Sequence, residues 1–323
     1  MSANTDVDTQ DLPVDELIDL VRKRVSPNSV VGIERRPNGF STKLASSFVT
    51  LRIEGGEEIA LFVKKVLGEA GSHLPDPIDR EAQVYVALGD DPRFAAPELV
   101  GIIGTDDPHL VLMAVPGLDL RYQDLDHWAL AAEELGAMHA AFASEARDLE
   151  SYDFLARHDA PTNLATAQHA HTVLSGRHAD AAGLIQGVVE GYERFAVELA
   201  EERPTLVHGD LAPKNIVIAD RDDTKRAVFV DWEWAGIGPG LGDLADLVNG
   251  LDEGATRRML EAYAGSATGV VVPIEDGALS RSFKLALLHK TMFRLGRSID
   301  WKVSDDQVTS WARTAADLYS ELG

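Results

Sequence analysis

Two short segments of the sequence carry side chains that are suited to handling a phosphate group. The first is His208-Gly209-Asp210, with Asn215 five residues after Asp210, and the second begins at Asp231, sixteen residues beyond Asn215. A carboxylate can orient an acceptor hydroxyl and take its proton, and magnesium prefers carboxylate and amide oxygens as ligands. The pattern therefore predicts phosphoryl transfer, with Asp210 as the catalytic base and Asn215 and Asp231 as the metal ligands.

The residues around these segments predict a hairpin that brings them together. Residues 215–218 and 227–230 have the apolar character of short strands, and a polar turn joins them. Asp210 and Asn215 lie at the start of the first strand, and Asp231 follows the second. Antiparallel pairing would bring all three side chains to one end of the hairpin. A lone aspartate before a turn is usually a turn former, so the prediction depends on the three residues together.

The first third of the chain has the pattern of an antiparallel sheet with two helices. Alternating or continuous apolar runs predict strands over residues 47–53, 58–66 and 110–115. Helical spacing of apolar residues predicts helices over residues 14–24 and 79–88. The polar, acidic residues 1–10 are expected to be disordered.

Helical patterns dominate after residue 117. Helices are predicted over residues 128–142 and 184–199, and several more follow residue 242. A sheet-rich part followed by a helical part indicates an α+β protein with two lobes. We place the N-terminal lobe at residues 1–115 and the C-terminal lobe at residues 116–323.

Three segments together resemble the aminoglycoside phosphotransferase family, to which choline and homoserine kinases are related. They are residues 206–218 (LVHGDLAPKNIVI), 228–235 (VFVDWEWA) and 242–247 (GDLADL). The resemblance implies a protein-kinase-like fold, with a nucleotide-binding N-terminal sheet lobe and a mostly helical C-terminal lobe that carries the acceptor site. It implies an enzyme that uses Mg²⁺ and ATP, or another nucleoside triphosphate, to phosphorylate a hydroxyl of a small molecule such as an aminoglycoside, an amino sugar or a metabolite.

The resemblance also implies a phosphate-binding lysine. Lys64 lies where kinase-like folds carry the lysine that holds the α- and β-phosphates, and Glu81 matches the helix glutamate that pairs with it. Lys65 is the competing candidate. Neighbours on a strand point to opposite faces, so only one lysine can take this role, and we favour Lys64. A surface ion pair is the alternative interpretation of Lys64 and Glu81.

Two further nucleotide contacts follow from the resemblance. Residues 112–117 (LMAVPG) match the connection between the lobes, where backbone groups of Met113, Ala114 and Val115 are expected to bind adenine. The loop over residues 37–42 (PNGFST) is expected to cover the phosphates through Ser41 and Thr42. That loop has a single glycine and so departs from the glycine-rich loop of protein kinases.

Composition excludes several other classes of protein. The chain has 30 basic and 53 acidic residues, a net charge of −23, which disfavours binding to nucleic acid and to anionic membranes. It has no cysteine and no apolar run long enough to span a membrane. We expect a cytoplasmic protein whose partner is a small hydroxyl acceptor. The negative charge is compatible with a cationic acceptor, although solubility explains it equally well.

Several residues near the motif have structural alternatives. His208 is expected to brace the loop by hydrogen bonds. Glu233 would lie near the metal or the acceptor, Asp243 would cap a helix that starts near residue 244, and Asp246 would brace the loop. Four tryptophans offer either a wall of the acceptor pocket or ordinary core: Trp232, Trp234, Trp301 and Trp311.

Two other functions remain open from the sequence. A serine/threonine protein kinase would need an activation segment, and no Ala-Pro-Glu-like end to one follows Asp231. A non-catalytic nucleotide-binding protein would not require Lys64, Asp210, Asn215 and Asp231 together. The helical segments that would choose the acceptor carry no motif that identifies it.

Overall fold

The computed structural model describes residues 12–39, 45–65, 77–105, 107–221, 224–270, 273–275 and 277–323, with side chains omitted at 77–79. The described residues form two compact units, one within Met1–Pro116 and the other within Gly117–Gly323. Each unit has its own hydrophobic core.

The first unit contains a five-stranded antiparallel sheet and two helices. In chain order its elements are α1 (Val14–Arg24), β1 (Val30–Pro37), β2 (Ser46–Ile53), β3 (Glu58–Lys65), α2 (Pro77–Leu88), β4 (Leu99–Ile103) and β5 (His109–Met113). The strand order is β1-β2-β3-β5-β4. The predicted strands and helices of this part are confirmed, with ends that differ by a few residues.

Alternation along β2 and β3 explains why this sheet has one buried face. Val49, Leu51 and Ile53 of β2 are buried, as are Leu61 and Val63 of β3, while most of the intervening side chains are more exposed. Leu17 and Val21 of helix α1 belong to the same hydrophobic core, and α1 itself packs beside β4. The arrangement follows from the two-residue period of a strand and the 3.6-residue period of a helix.

The second unit is mostly helical and carries short strands around the motif. Its elements are β6 (Gly117–Asp119), α3 (Leu125–Ala143), α4 (Ala146–Leu149), β7 (Ala156–Arg157), α5 (Ala160–Ser175), α6 (Ala179–Glu190), α7 (Tyr192–Glu201), β8 (Pro204–Val207), β9 (Ile216–Arg221), β10 (Thr224–Phe229), β11 (Gly236–Pro239), α8 (Leu241–Leu247), α9 (Glu253–Ser266), β12 (Ile274–Glu275), β13 (Ala278–Leu279), α10 (Arg281–Arg297) and α11 (Asp305–Leu322). Among the described helices, none is both long and apolar enough to cross a membrane.

Side-chain caps fix where several of these helices begin. Asp124, Asp159, Asp252, Ser280 and Ser304 each accept a hydrogen bond from a backbone N–H in the first turn of the helix that follows. Such caps satisfy donors that the helix itself leaves unpaired. Helices α5, α6, α7, α10 and α11 then bury a shared core of alanine, leucine and aromatic side chains.

The prediction of a single helix over residues 184–199 is wrong. The chain forms two helices, α6 and α7, that meet at Gly191. A Cβ at this position would lie 2.3 Å from the hydroxyl of Tyr319 on α11. Glycine lowers helix stability by about 1 kcal/mol relative to alanine, and here it also makes room for a neighbouring helix. The packing of α11 against Gly191 therefore divides the segment into two helices, although the spacing of its apolar residues fits one.

The pH dependence of stability tests the packing around His289 on α10. Removal from water, together with the nearby His158 and Lys290, lowers the pKa of His289 from 6.5 to about 3. Its Nδ1 lies 2.9 Å from the hydroxyl of Tyr192. Below pH 6.5 the unfolded chain binds a proton here and the folded chain does not, so this histidine lowers the free energy of unfolding by up to about 1.4 kcal/mol per pH unit.

In the variant His289→Asn this contribution is absent, and the amide oxygen takes the place of Nδ1 as the partner of the Tyr192 hydroxyl. In urea denaturation, the free energy of unfolding of the variant is expected to fall furthest below that of the wild type near neutral pH. The difference between wild type and variant should then shrink by about 1.4 kcal/mol for each pH unit below about 6.5. A difference that stays constant down to about pH 5 would contradict the neutral, packed state of His289.

Candidate active site

The residues of the predicted motif lie on the loop between β8 and β9, residues 208–215. Gly209 has a φ of +84°, a backbone conformation that favours glycine. A Cβ at Gly209 would lie 2.4 Å from the carbonyl oxygen of Trp234 and 2.9 Å from its Cβ. The backbone geometry and the close contact both require glycine between His208 and Asp210.

Asp243 on α8 holds the start of the 208–215 loop. Its Oδ2 accepts a hydrogen bond from the backbone N–H of His208 at 2.6 Å, and its Oδ1 accepts one from the N–H of Gly209 at 2.9 Å. The prediction that Asp243 caps a helix is wrong. Helix α8 begins at Leu241, and no side-chain cap is formed at its start. Asp243 instead satisfies two consecutive N–H groups of a different segment.

The surroundings of Asp243 keep it ionised. Burial by itself would raise the pKa of Asp243, but the imidazole of His139 and the charges of His208 and Lys290 outweigh it and lower the pKa to about 2. Nε2 of His139 lies 3.4 Å from Oδ2 of Asp243, and its Nδ1 lies 3.0 Å from the hydroxyl of Tyr263. A carboxylate in this state can serve both backbone N–H groups at neutral pH.

The imidazole of His208 connects the loop to the strand that precedes Asp231. Its Nε2 lies 2.9 Å from the carbonyl oxygen of Val230, and its ring lies 4.7 Å, centroid to centroid, from the ring of Trp232. The backbone N–H of Asp210 approaches the other ring nitrogen at 3.4 Å. These contacts give His208 the bracing position that the sequence predicts.

Asp210 and Asn215 are in direct contact. Nδ2 of Asn215 donates to the backbone carbonyl oxygen of Asp210 at 2.8 Å and lies 3.5 Å from its Oδ2. Burial raises the pKa of Asp210 above its ordinary value, and the charge of Lys214, 3.8 Å from the carboxylate, opposes this rise. A carboxylate with a raised pKa is a better proton acceptor once it is ionised.

The β9–β10 hairpin brings Asp231 to the same end as Asp210 and Asn215. Ile216 pairs with Phe229, and the backbone N–H of Val230 donates to the carbonyl oxygen of Asn215 at 2.9 Å. Both strands extend further from the motif than the sequence predicts. Asp231 follows with φ 70° and ψ 59°, a left-handed conformation that aspartate and asparagine tolerate better than most residues.

Asn215 and Asp231 offer a donor set that fits magnesium. The amide nitrogen of Asn215 is engaged with Asp210, so its carbonyl oxygen is the atom that a cation would bind. In the part of the chain that the structure describes, no group of three or more His, Asp or Glu side chains could hold a metal. One carboxylate with one amide oxygen suits Mg²⁺, which usually takes one or two carboxylates and completes its shell with water and substrate phosphates.

A buried ion cluster supports the loop from α10. Asp246 lies 2.5 Å from Nζ of Lys290 and 2.7 Å from Arg294, and Lys290 also donates to the carbonyl oxygen of Gly209 at 2.7 Å. Asp246 thus braces the loop, as expected, but through Lys290. Sequence reasoning missed His139, Lys290 and Arg294. Two cations four residues apart on an apolar helix were a signal for the last two.

The first unit places Lys64 and Glu81 together. Nζ of Lys64 lies 2.7 Å from Oε2 of Glu81, and the two side chains are only 11% and 2% exposed. Lys65 instead pairs with Asp107 at 2.7 Å, as expected for a neighbour on the opposite face of a strand. Lys64 and Glu81 are therefore not a surface pair.

The predicted adenine-binding segment partly belongs to the sheet of the first unit. The backbone N–H of Met113 donates to the carbonyl oxygen of Glu98, and that of Ala114 donates to Ala60, both at 2.9 Å. Among the described backbone hydrogen bonds, none uses the N–H of Val115. Ser41 and Thr42, predicted to contact the phosphates, lie outside the described residues.

Three solved structures share the fold of this chain. Choline kinase from Cryptosporidium parvum Iowa II gives a TM-score of 0.60 at 12% identity, covering 96% of this chain and 95% of that chain. Spectinomycin phosphotransferase, in complex with ADP and spectinomycin, gives 0.57 at 10% identity, covering 95% and 98%. The GDP complex of wild-type aminoglycoside 2′-phosphotransferase-IIIa gives 0.57 at 16% identity, covering 96% and 98%.

These likenesses confirm the predicted α+β, protein-kinase-like fold. A comparison of the sequence with curated proteins gives no significant match. The model of the phosphotransferase enzyme family matches residues 45–275, more than half of the 323 residues, and includes the complete 208–215 loop. The chain therefore belongs to the phosphotransferase enzyme family.

Proposed function

We propose that this chain transfers the γ-phosphate of ATP to a hydroxyl of a small molecule. The observation that carries the proposal is the contact of Asn215 with Asp210, in a loop that Asp243 and Lys290 hold in place. This contact joins a candidate base to a candidate metal ligand. Family membership supports the reaction type, and the ADP and GDP complexes of two structures of the same fold support a nucleotide substrate.

In the proposed reaction Asp210 orients the acceptor hydroxyl and receives its proton. The acceptor oxygen forms a bond to the γ-phosphorus, the bond from that phosphorus to the β–γ bridging oxygen breaks, and ADP leaves. Asn215 and Asp231 would hold magnesium, which neutralises charge on the phosphate oxygens when bound. The His208 and Asp243 contacts keep the loop in the conformation that this step requires.

The nucleotide contacts that we propose lie in the first unit. Lys64, oriented by Glu81, steadies the α- and β-phosphates. Since the N–H groups of Met113 and Ala114 are used within the sheet, the N–H of Val115 is the donor best suited to adenine, together with backbone carbonyl oxygens of this segment.

Replacement of Asp210 tests the base. Asp210→Asn keeps the size of the side chain and removes the proton acceptor, so kcat is expected to fall by roughly 10²- to 10⁴-fold. The assay couples ADP release to a panel of amino sugars, aminoglycosides, choline, homoserine and nucleosides. The thermal shift caused by Mg·ATP should persist. Asp220→Asn, at an exposed aspartate of the same hairpin, is the control. Undiminished kcat in Asp210→Asn would refute the proposed role of Asp210.

The two adjacent lysines provide a matched test of the phosphate contact. Lys64→Met alone would remove a charged partner from the buried carboxylate of Glu81, so the test variant is Lys64→Met with Glu81→Gln. We expect kcat/KM for ATP to fall about tenfold or more, because hydrogen bonds to charged groups contribute about 1.5–3 kcal/mol. Lys65→Met should stay near wild type. Equal effects of the two changes would contradict the assignment to Lys64.

Magnesium dependence tests Asp231. Asp231→Asn preserves a residue type that tolerates the left-handed backbone and removes the carboxylate charge. The Mg²⁺ concentration for half-maximal rate is expected to rise roughly tenfold or more, because Mg²⁺ usually depends on only one or two protein carboxylates. Chelation by EDTA should abolish wild-type turnover. A Mg²⁺ titration that superimposes on the wild-type curve would exclude Asp231 as a ligand.

A further inference from the structure

Three aromatic side chains form a continuous, partly exposed surface beside the 208–215 loop. The ring of Trp234 packs edge-to-face against Phe293 with centroids 6.0 Å apart, and Phe293 packs against Trp301 at 6.2 Å. We name Trp234, Phe293 and Trp301 the aromatic surface. Trp301 is 43% exposed and the other two are half-buried, whereas Trp232 is fully buried. Ligand sites are lined mainly by apolar and aromatic side chains with a few polar groups among them, so these three residues are a candidate ligand surface.

The aromatic surface touches the residue that precedes Asp210. Trp234 approaches Gly209 so closely that a Cβ on Gly209 would overlap its carbonyl oxygen. Nζ of Lys290 lies 2.7 Å from the carbonyl oxygen of Gly209 and 4.8 Å from the ring centroid of Phe293. Two of the three residues are thus connected to the loop within the second unit, Trp234 through its backbone and Cβ and Phe293 through Lys290.

Contacts within the protein orient Trp234 and hold the helix segment that carries Phe293. Nε1 of Trp234 donates to Oε1 of Glu233 at 3.0 Å. Phe293 lies on α10, between residues whose side chains are held by the Asp246 ion cluster. A surface ordered in this way loses little conformational entropy when it binds a ligand.

Cations already occupy the π faces that an ammonium ligand would use. The guanidinium carbon of Arg297 lies 4.7 Å from the ring centroid of Trp234 and 5.7 Å from that of Phe293, and Lys290 faces Phe293. An amine would have to displace Arg297 from the face of Trp234, or Lys290 from that of Phe293, in order to bind there. The guanidinium of Arg297 also lies 3.5 Å from the exposed Asp300. Exposed pairs of this type are weak, so an anionic or hydrogen-bond-accepting ligand group can replace Asp300.

On the basis of the proposed function, we propose that the aromatic surface binds the acceptor, and that the acceptor is an alcohol with a flat apolar ring and no positive charge. The ring stacks against Trp301 and the open edge of Trp234, and a polar or anionic substituent bonds to Arg297. This differs from the cationic acceptor that the net charge of the chain permits.

Three alcohols of one shape test the ligand class: benzene-para-dimethanol, para-hydroxymethyl benzoate and para-hydroxymethyl benzylamine. They share the ring and a hydroxyl, and they are neutral, anionic and cationic. Binding is measured by the change in tryptophan fluorescence, and turnover by the coupled ADP assay with choline as the cationic alcohol without a ring. We expect the neutral and anionic probes to bind more tightly than the benzylamine and choline.

The variants Trp301→Ala and Arg297→Gln separate the ring contact from the charge contact. Trp301→Ala should weaken binding and raise KM for ring alcohols by about tenfold, a typical effect of losing an aromatic contact, with kcat and KM for ATP unchanged. Arg297→Gln should remove the preference for the benzoate. Leu184→Ala, at a residue of similar exposure (40%) on α6, is the control. A defect in folding would instead reduce both the binding of the ring probes and the turnover rate with every substrate.

The outcomes distinguish this proposal from the proposed function. Phosphorylation of an alcohol whose KM does not change in Trp301→Ala, or a preference for the benzylamine and choline, would overturn the acceptor assignment and leave the phosphotransferase intact. Binding of the ring probes without turnover of any alcohol would count against the proposed function and support the surface as a ligand site.

Discussion

The carboxylate of Asp243 accepts hydrogen bonds from two consecutive backbone N–H groups, and the 208–215 loop takes its conformation from them. Asp243 is itself buried, so it depends on those donors and on His139 as much as the loop depends on it. Removing one partner of a buried, charged group costs several times more than the net contribution of an ordinary hydrogen bond. The loop is therefore held by an interaction that is costly to break from either side.

The backbone at Gly209 is restrained on both sides. Its N–H is bound by Asp243 of α8, and its carbonyl oxygen is bound by Lys290 of α10. The peptide groups on both sides of Gly209 are thus fixed by opposite charges on two different helices. Asp210 is the next residue after Gly209. On the other side, the imidazole of His208 hydrogen-bonds to the carbonyl oxygen of Val230. The fold places the carboxylate of Asp210, the proposed base, by restraining the backbone next to it.

The sequence alone predicted those elements that depend on interactions between residues close together in the chain. The spacing of Asp210, Asn215 and Asp231 predicted a hairpin because strand pairing and turn chemistry are local, and alternation located β2 and β3 for the same reason. The role of Asp243 was not accessible in this way. Its partners lie 34 and 35 residues away in sequence, and a helix-start aspartate is commonly a cap. His139 and Lys290 were missed because their partners are more distant still: Tyr263 lies 124 residues from His139, and Gly209 lies 81 residues from Lys290. The helix break at Gly191 was not predicted because its cause is a contact with Tyr319 on α11, 128 residues later in the sequence.

The contact between Gly209 and Trp234 has a consequence for how this enzyme can be altered. Since the two residues leave no space between them, a change of side chain at 234 that moves its backbone is transmitted directly to the residue before Asp210. Trp301, at the far end of the aromatic surface, packs against Phe293 and donates its backbone N–H to the carbonyl oxygen of Arg297, and no described contact joins it directly to the 208–215 loop. Under the proposed function, ligand preference can therefore change at Trp301 with the backbone beside Asp210 undisturbed, whereas a change at Trp234 reaches that backbone directly.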